Sequence, residues 1–524
     1  MTTRSRHPMN TLGDIARLHA QARPAQRAVA FEGRVVTYGE LDACANRVAQ
    51  ALLASGLRQG DRIAYLAKNS DFYIELLLGA AKAGVVMTPV NWRLAVREAQ
   101  YIIDDCDAKL LFVGPEFLDS AQEYMPKKRA CQLLGTQTPI AGRSYREWRD
   151  AQQPLDPHLP VSAHAAAVQL YTSGTTGNPK GVVLTHENFI AVQRAPSTFQ
   201  WSQWGADDVS LIVMPCFHIG GTGWTVMGLY NGALNVVARE FDPAQVLDCI
   251  ETWHVSKMFM VPAAMQMMVR HPRARQVDYS RLKYMLYGAS PMPRELLREC
   301  MEVLGCGFVQ LYGMTETTGS VTALGPEDHD PAGNVRMNSA GKPLPGVEIA
   351  ILDEAGRPLP PNTVGEIAIS SVSNMQGYWK LPKATARTKG GDSWVRSGDA
   401  GYLDADGYLF IHDRVKDMII SGGENIYPAE VENAIFGHPA VAEVAVIGVP
   451  SERWGEEVKA IVVARDAMTV DAASVIEWAR ERIAAYKLPK SVDCVAALPR
   501  NASGKILRRE LRAPYWKGRE RQVN

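Results

Sequence analysis

The strongest constraint on how this chain can fold is the alternation of two hydrophobic periods along its first half. Thr37-Tyr38-Gly39-Glu40 sets a hydroxyl and a carboxylate three residues apart, the capping box that opens a helix. The apolar face of that helix is Leu41, Ala45, Val48 and Leu52, and Gly56 closes it. A strand-like run follows over Arg62–Leu66, then a helical pattern over Asp71–Ala83, a run over residues 85–90, a helix over 96–103 and a run over 110–113. The order returns at residues 209–214, 244–253, 258–261 and 284–287. Such alternation predicts parallel sheets covered by helices, an α/β fold. After about Gly341 the texture changes to short strands between turns such as Pro343-Leu344-Pro345-Gly346 and Asp404-Ala405-Asp406-Gly407, which reads as a small β-rich subdomain. It changes again at Arg414–Asp417. Beyond that boundary a helix over Pro428–Phe436, strands over 441–449 and 458–463, a helix over 472–485 and a strand over 492–496 read as a separate α+β unit.

Bulk composition narrows the function classes. Of 524 residues, 46% are hydrophobic and 21% charged, which suits a globular protein of several domains. The formal net charge is zero, so nothing draws the whole molecule to nucleic acid or an anionic membrane. The eight cysteines contain no Cys-x-x-Cys pair, which argues against a zinc site or disulfide scaffold and for a reducing, cytoplasmic setting. The N-terminus lacks the apolar core of a signal peptide. The greasiest stretch, residues 73–90, is interrupted by Glu75, Lys82 and Pro89, so no membrane span is expected.

The chemistry begins with ten consecutive residues: Thr172, Ser173, Gly174, Thr175, Thr176, Gly177, Asn178, Pro179, Lys180 and Gly181. Four hydroxyls, three glycines and a lysine lie between apolar runs at 168–171 and 182–184. A loop of this make-up can aim N–H, O–H and ammonium groups at a polyphosphate. It is not the common nucleotide P-loop, because Gly177 stands three residues before Lys180 and a β-like run follows instead of a helix. The grip must come from the loop's own donors.

Further polar islands each follow a strand-like run. They are Tyr312-Gly313-Met314-Thr315-Glu316-Thr317, Gly398-Asp399, His412-Asp413-Arg414 and, near the end, the stretch from Leu498 to Ile506 that carries Lys505. These islands, with the 172–181 loop and in this order, resemble the adenylate-forming superfamily of acyl-CoA synthetases, luciferases and peptide-synthetase adenylation domains. The likeness runs from about Thr37 to Leu511. It implies a large N-terminal domain, residues 1–414, of two αβ-layered sheets plus a small β-barrel. A small mobile α+β domain would follow over 415–524, with a hinge at Lys416.

The resemblance also implies roles. The 172–180 loop would hold the ATP β- and γ-phosphates, Tyr312 would stack on adenine, and Gly313 belongs to the same segment. Gly288, Ala289 and Ser290 would line the adenine slot. Thr315 would bond the α-phosphate, Glu316 would ligate Mg²⁺, and Asp399 and Arg414 would take the ribose. Lys505 would stand between carboxylate and α-phosphate, with Lys505, Glu316, Thr315 and Lys180 as the catalytic set. Ser421, Gly422, Gly423 and Glu424 would line the CoA pantetheine tunnel, although the same residues could be a turn before a helix. Arg508, Arg509 and Arg512 read more readily as a solvated helix face than as a CoA phosphate site. The expected partners are a carboxylic acid, ATP and CoA, and a homodimer is common among relatives.

His218, Gly220, Gly221 and Trp224 fall in the segment expected to meet the acid. His218 stands where amino-acid-activating relatives carry an Asp, and no other anion is near in sequence, which discards amino acids. The rest is glycine and apolar, which fits a medium- or long-chain fatty acid. An aryl or cinnamate-type acid is the alternative, as is an adenylase that loads a carrier protein. The end of the chain at Asn524 with no carrier segment favours CoA in this reading.

Overall fold

Helix Asp71–Ala83 shows how the first half becomes layered. All thirteen of its residues are buried, charged ones included. A helix apolar on every side must be covered on every side, and this one lies in the core shared by two sheets. Its charges are all paired. Arg34 meets Asp71 at 2.6 Å, Arg149 and the Tyr145 hydroxyl each reach Glu75 at 2.7 Å, and Lys82 reaches Asp42 at 2.6 Å and Asp156 at 2.8 Å. Removing one member of such a pair costs about 3–5 kcal/mol.

The computed structural model describes residues 9–125, 131–140, 144–172, 178–390, 394–414, 417–421, 424–500 and 506–517. One sheet has seven strands, ordered Gly377–Tyr378, Lys180–Thr185, Ala166–Thr172, Val86–Pro89, Arg62–Leu66, Ala108–Val113 and Gln132–Gly135. The other has nine, from Lys342–Pro343 through Gly319–Leu324, Gly307–Met314, Tyr284–Gly288, Lys257–Met260, Val209–Ile212, Leu234–Val237 and Arg27–Phe31 to Arg34–Thr37. Their centres pair in parallel, as the alternation predicts. Toward one edge each sheet turns antiparallel, where Gly307–Met314 pairs with Gly319–Leu324 and Ala166–Thr172 pairs with Lys180–Thr185, while Gln132–Gly135 at the other edge of the seven-stranded sheet stays parallel.

The β-rich part is a four-stranded antiparallel sheet of Val347–Leu352, Gly365–Ser371, Trp394–Leu403 and Leu409–Arg414. Ile351, Ile367, Ile369 and Leu409 on one face pack against Val321 of the nine-stranded sheet. The last unit builds two small cores of its own around a hairpin of Val441–Ser451 and Gly455–Ala464.

Two expectations for that last unit need correction. The helix expected over 472–485 is Ala472–Arg480, because Arg482 turns back onto the Trp478 carbonyl at 2.6 Å and Lys487 grips Glu430 at 2.6 Å, which ends the helix early. Arg508 and Arg512 are not solvated. Arg508 meets Glu432 at 2.8 Å and Arg512 meets Asp417 at 3.0 Å, which fastens the final short helix to the segment after 416. Among the described residues no helix is long and apolar enough to cross a membrane.

Candidate nucleotide and acid site

The site forms where the two sheets change from parallel to antiparallel. Strand Gly307–Met314 leads into a 3-10 turn, Thr315–Thr317, and returns as Gly319–Leu324. The turn is tied by its own hydroxyls. The Met314 N–H donates to Thr317 Oγ1 at 3.1 Å, and Thr318 Oγ1 donates to the Ser373 carbonyl at 2.6 Å. A Cβ on Gly313 would come within 1.8 Å of the Gly319 carbonyl oxygen, so this glycine permits the close approach of the two arms. Thr315 is left half-buried at the tip, open to a ligand.

Two tyrosine–carboxylate pairs flank that turn. Tyr312 donates its hydroxyl to Asp399 Oδ2 at 2.8 Å, and Tyr378 donates to Glu316 Oε1 at 2.7 Å. Both carboxylates are nearly buried. Asp399 does not end its strand, as the sequence suggested. It sits inside Trp394–Leu403, directly across from Arg414 in the register, so both polar residues share one pair of strands. A strand can carry them because alternate residues face opposite sides. Arg414 is described in its backbone alone.

Lys180 opens the strand Lys180–Thr185 and pairs across from Thr172 of the antiparallel strand Ala166–Thr172. Its Nζ lies 4.9 Å from the centre of the Tyr378 ring. Lys180, Tyr378 and Glu316 thus form one group of contacts, and Tyr312 and Asp399 a second.

Gly288, Ala289 and Ser290 follow strand Tyr284–Gly288. Gly288 is small for a neighbour rather than a ligand, since a Cβ there would meet the Leu311 carbonyl oxygen at 2.1 Å. Ala289 has φ 65°, a left-handed conformation that costs an L-residue about 1 kcal/mol or more. Ser290 and Pro291 form one wall of a narrow cleft of about 120 Å³, and Arg500, Ile506 and Arg508 form the other. Arg500 bridges Ile506 in an antiparallel pair.

The acid side is built differently. Helix Ile219–Tyr230 starts at His218, and Ile219 reaches toward Gly319 of the turn. Burial, and then the nearby Arg93, push the His218 imidazole down to about 4, so it is neutral at pH 7. Its Nε2 is buried with no hydrogen-bond partner among the described residues. An orphaned buried nitrogen of this kind calls for a ligand group or water.

Two of the four residues expected to wall the acid pocket serve the core instead. A Cβ on Gly221 would strike the Pro215 carbonyl oxygen at 2.2 Å, so its glycine lets the helix seat on the preceding loop. Trp224 is buried, its Nε1–H bonded to the Leu211 carbonyl at 3.0 Å. The partly open face of the helix is Ile219, Gly220, Gly223 and Met227. A Cβ on Gly220 would lie 3.1 Å from Phe259, whereas one on Gly223 would meet only Ile219, at 3.9 Å. That face is uncharged.

Several expected site residues, Ser173, Gly174, Thr175, Thr176, Gly177, Lys416, Gly422, Gly423 and Lys505, lie outside the described residues. Ser421 and Glu424 pair across two short strands, and Ser421 also pairs with Gly455 of the neighbouring hairpin. Sequence reasoning missed Tyr378, whose one signal was a Gly-Tyr-Trp triplet beyond any recognised island.

Among the described residues no three His, Cys, Asp or Glu side chains form a metal cluster. A single carboxylate still suits Mg²⁺, which takes one or two carboxylates and completes its shell with phosphate and water oxygens. Tyr378 bonds Oε1 of Glu316, and no hydrogen bond reaches Oε2 among the described residues, so the residues present fit that ion.

The family model for AMP-binding enzymes matches residues 17–379, and that for the AMP-binding enzyme C-terminal domain matches residues 430–505. The chain belongs to the AMP-binding, adenylate-forming enzymes. It is 43% identical to a fatty acid–[acyl-carrier-protein] ligase of Streptomyces coeruleorubidus, over 99% of this chain and 100% of that one. It is 39% identical to a feruloyl-CoA synthase of Amycolatopsis, over 96% and 99%. The crystal structure of ATP-bound MatB from Rhodopseudomonas palustris superposes with a TM-score of 0.87 at 31% identity, covering 96% of this chain and 99% of that chain. The protein is an adenylate-forming ligase.

Proposed function

We propose that this ligase activates an apolar carboxylic acid, a medium- or long-chain fatty acid, and transfers it to the thiol of CoA. One observation carries the reading. The two tyrosine-held carboxylates and Lys180 lie at the turn whose returning strand, at Gly319, meets Ile219 at the start of the helix that His218 caps and whose open face is uncharged.

In the first half-reaction an oxygen of the acid attacks the α-phosphorus of ATP, and the bond to pyrophosphate breaks. Tyr312 offers a face for adenine, Asp399 accepts from the ribose hydroxyls, and Thr315 donates to the α-phosphate. The 172–180 loop holds the β- and γ-phosphates, and Lys505 places its ammonium between the two reacting anions. Glu316 would hold Mg²⁺, which when bound screens the polyphosphate charge. In the second half-reaction the thiol sulfur attacks the acyl carbon and AMP leaves. This requires Lys505 to withdraw, with Lys416 as hinge, so that Ser421–Glu424 can line the pantetheine path.

His218 and its uncharged surroundings support an apolar acid over an amino acid, whose ammonium would stay unpaired at a cost of several kcal/mol. A second reading has a specific support: the relative that is 43% identical over the full length is a ligase for an acyl carrier protein. In that reading a phosphopantetheinyl protein replaces CoA as acceptor. Pyrophosphate release across a panel of fatty, aryl and amino acids, each alone, with CoA and with carrier protein, tests both. Fatty acids are expected to release most, with turnover raised by CoA. Release with aryl acids alone would overturn the fatty-acid assignment, and stimulation by the carrier protein alone would replace CoA.

A further inference from the structure

We propose that Tyr378 is a positioning residue that sets Glu316 for the metal and braces Lys180 for the phosphates, coupling the two from a strand outside the polar islands. The proposal rests on the reading of Glu316 as the Mg²⁺ ligand.

The strap that carries Tyr378 is fixed to both of its clients. The Met375 N–H donates to the Glu316 carbonyl at 2.7 Å, the Gln376 N–H to the Val183 carbonyl at 2.9 Å, and the Trp379 N–H to the Gly181 carbonyl at 2.7 Å. Strand Gly377–Tyr378 pairs antiparallel with Val182 and Val183, directly beyond Lys180. The strap is itself anchored. Arg62 lies 3.5 Å over the Trp379 ring, and Trp379 Nε1–H donates to the Asp105 carbonyl at 2.8 Å.

From this fixed strap the Tyr378 hydroxyl donates to Glu316 Oε1 at 2.7 Å, a length typical of a charge-assisted bond. That bond fixes the rotamer of the carboxylate and leaves Oε2 for a cation. The ring face, 4.9 Å from Lys180 Nζ, restrains the ammonium beside the hairpin loop. The hydroxyl and the ring therefore serve different charges and can be separated by substitution.

Calorimetry with a non-hydrolysable ATP analogue, in Mg²⁺ and in EDTA, separates them without reference to turnover. Tyr378→Phe keeps the ring and drops the hydroxyl. It should weaken binding of the magnesium form about 10-fold or more while the metal-free form stays within about twofold of wild type. Tyr378→Leu removes the ring as well and should weaken both forms. Glu316→Gln is the control and should abolish the preference for the magnesium form. If Tyr378→Phe retains that preference while Glu316→Gln loses it, the role of Tyr378 is overturned and the metal reading stands. Equal weakening of both forms by Tyr378→Phe would mark a structural residue and also overturn it. If Glu316→Gln keeps the preference, the metal reading falls and this proposal with it.

Discussion

The nucleotide half and the acid half of the site are prepared to different degrees. Around the 315–317 turn each carboxylate already holds a tyrosine hydroxyl, and the lysine lies over an aromatic face. Around His218 the one polar nitrogen is unpartnered among the described residues and the neighbouring helix face is glycine and aliphatic. A pre-paired site fixes its geometry before the ligand arrives, so little ordering entropy remains to be lost on binding. An unpaired, uncharged one takes its shape from whatever fills it. The contrast is one way for a fixed adenylation chemistry to serve acids as unlike as those named for the relatives.

Lys505→Ala should break the contrast most, because that ammonium is proposed to act where the halves meet. Adenylate formation should fall about 10²–10³-fold, while thioester formation from supplied acyl-adenylate persists in a single-turnover assay. Equal loss in both steps would contradict the assignment. Next, Asp399→Ala removes the acceptor of Tyr312 and the proposed acceptor of the ribose, and KM for ATP should rise about 10- to 100-fold, as expected for a hydrogen bond to a charged group. KM for the acid should barely move.

Gly223→Leu tests the other half. It fills open space on the acid face and replaces a helical glycine, so stability should rise by up to about 1 kcal/mol. Discrimination against long acids should change about tenfold, with KM for ATP unaltered. Unchanged acid preference would mean the acid does not run along this face.

The smallest effect concerns pH and a histidine away from the site. Burial pushes the His186 imidazole down to about 4, against weak opposition from Asp14. The imidazole is neutral in the fold and protonates near 6.5 in the unfolded chain. The stability it contributes is therefore full above pH 6.5 and is lost as pH falls toward 4, at up to about 1.4 kcal/mol per pH unit. His186→Asn should flatten that slope in denaturant melts between pH 6.5 and 4.5, and an unchanged slope would refute it.

Much of this was legible in the chain. Arg62–Leu66, Asp71–Ala83 and Pro428–Phe436 were readable to the residue, because strong periodicity met a clear cap or turn at each end. The polar islands were legible as chemistry but not as geometry. Asp399 looked like a strand terminus because Gly398 precedes it, yet the strand continues past it to Leu403. Gly221 and Trp224 looked like pocket walls because sequence does not show which side of a helix faces the core. Tyr378 left only its Gly-Tyr-Trp triplet as a signal, since two residues pairing at a sheet edge leave no periodic trace and its partners are 62 and 198 positions away in the chain.

The contrast between the halves is tested most directly by ATP–pyrophosphate exchange measured across a graded series of acids. If the nucleotide half is built in advance, KM for ATP should stay nearly constant while kcat/KM for the acid spans orders of magnitude. KM for ATP that rises and falls with the identity of the acid would contradict the account.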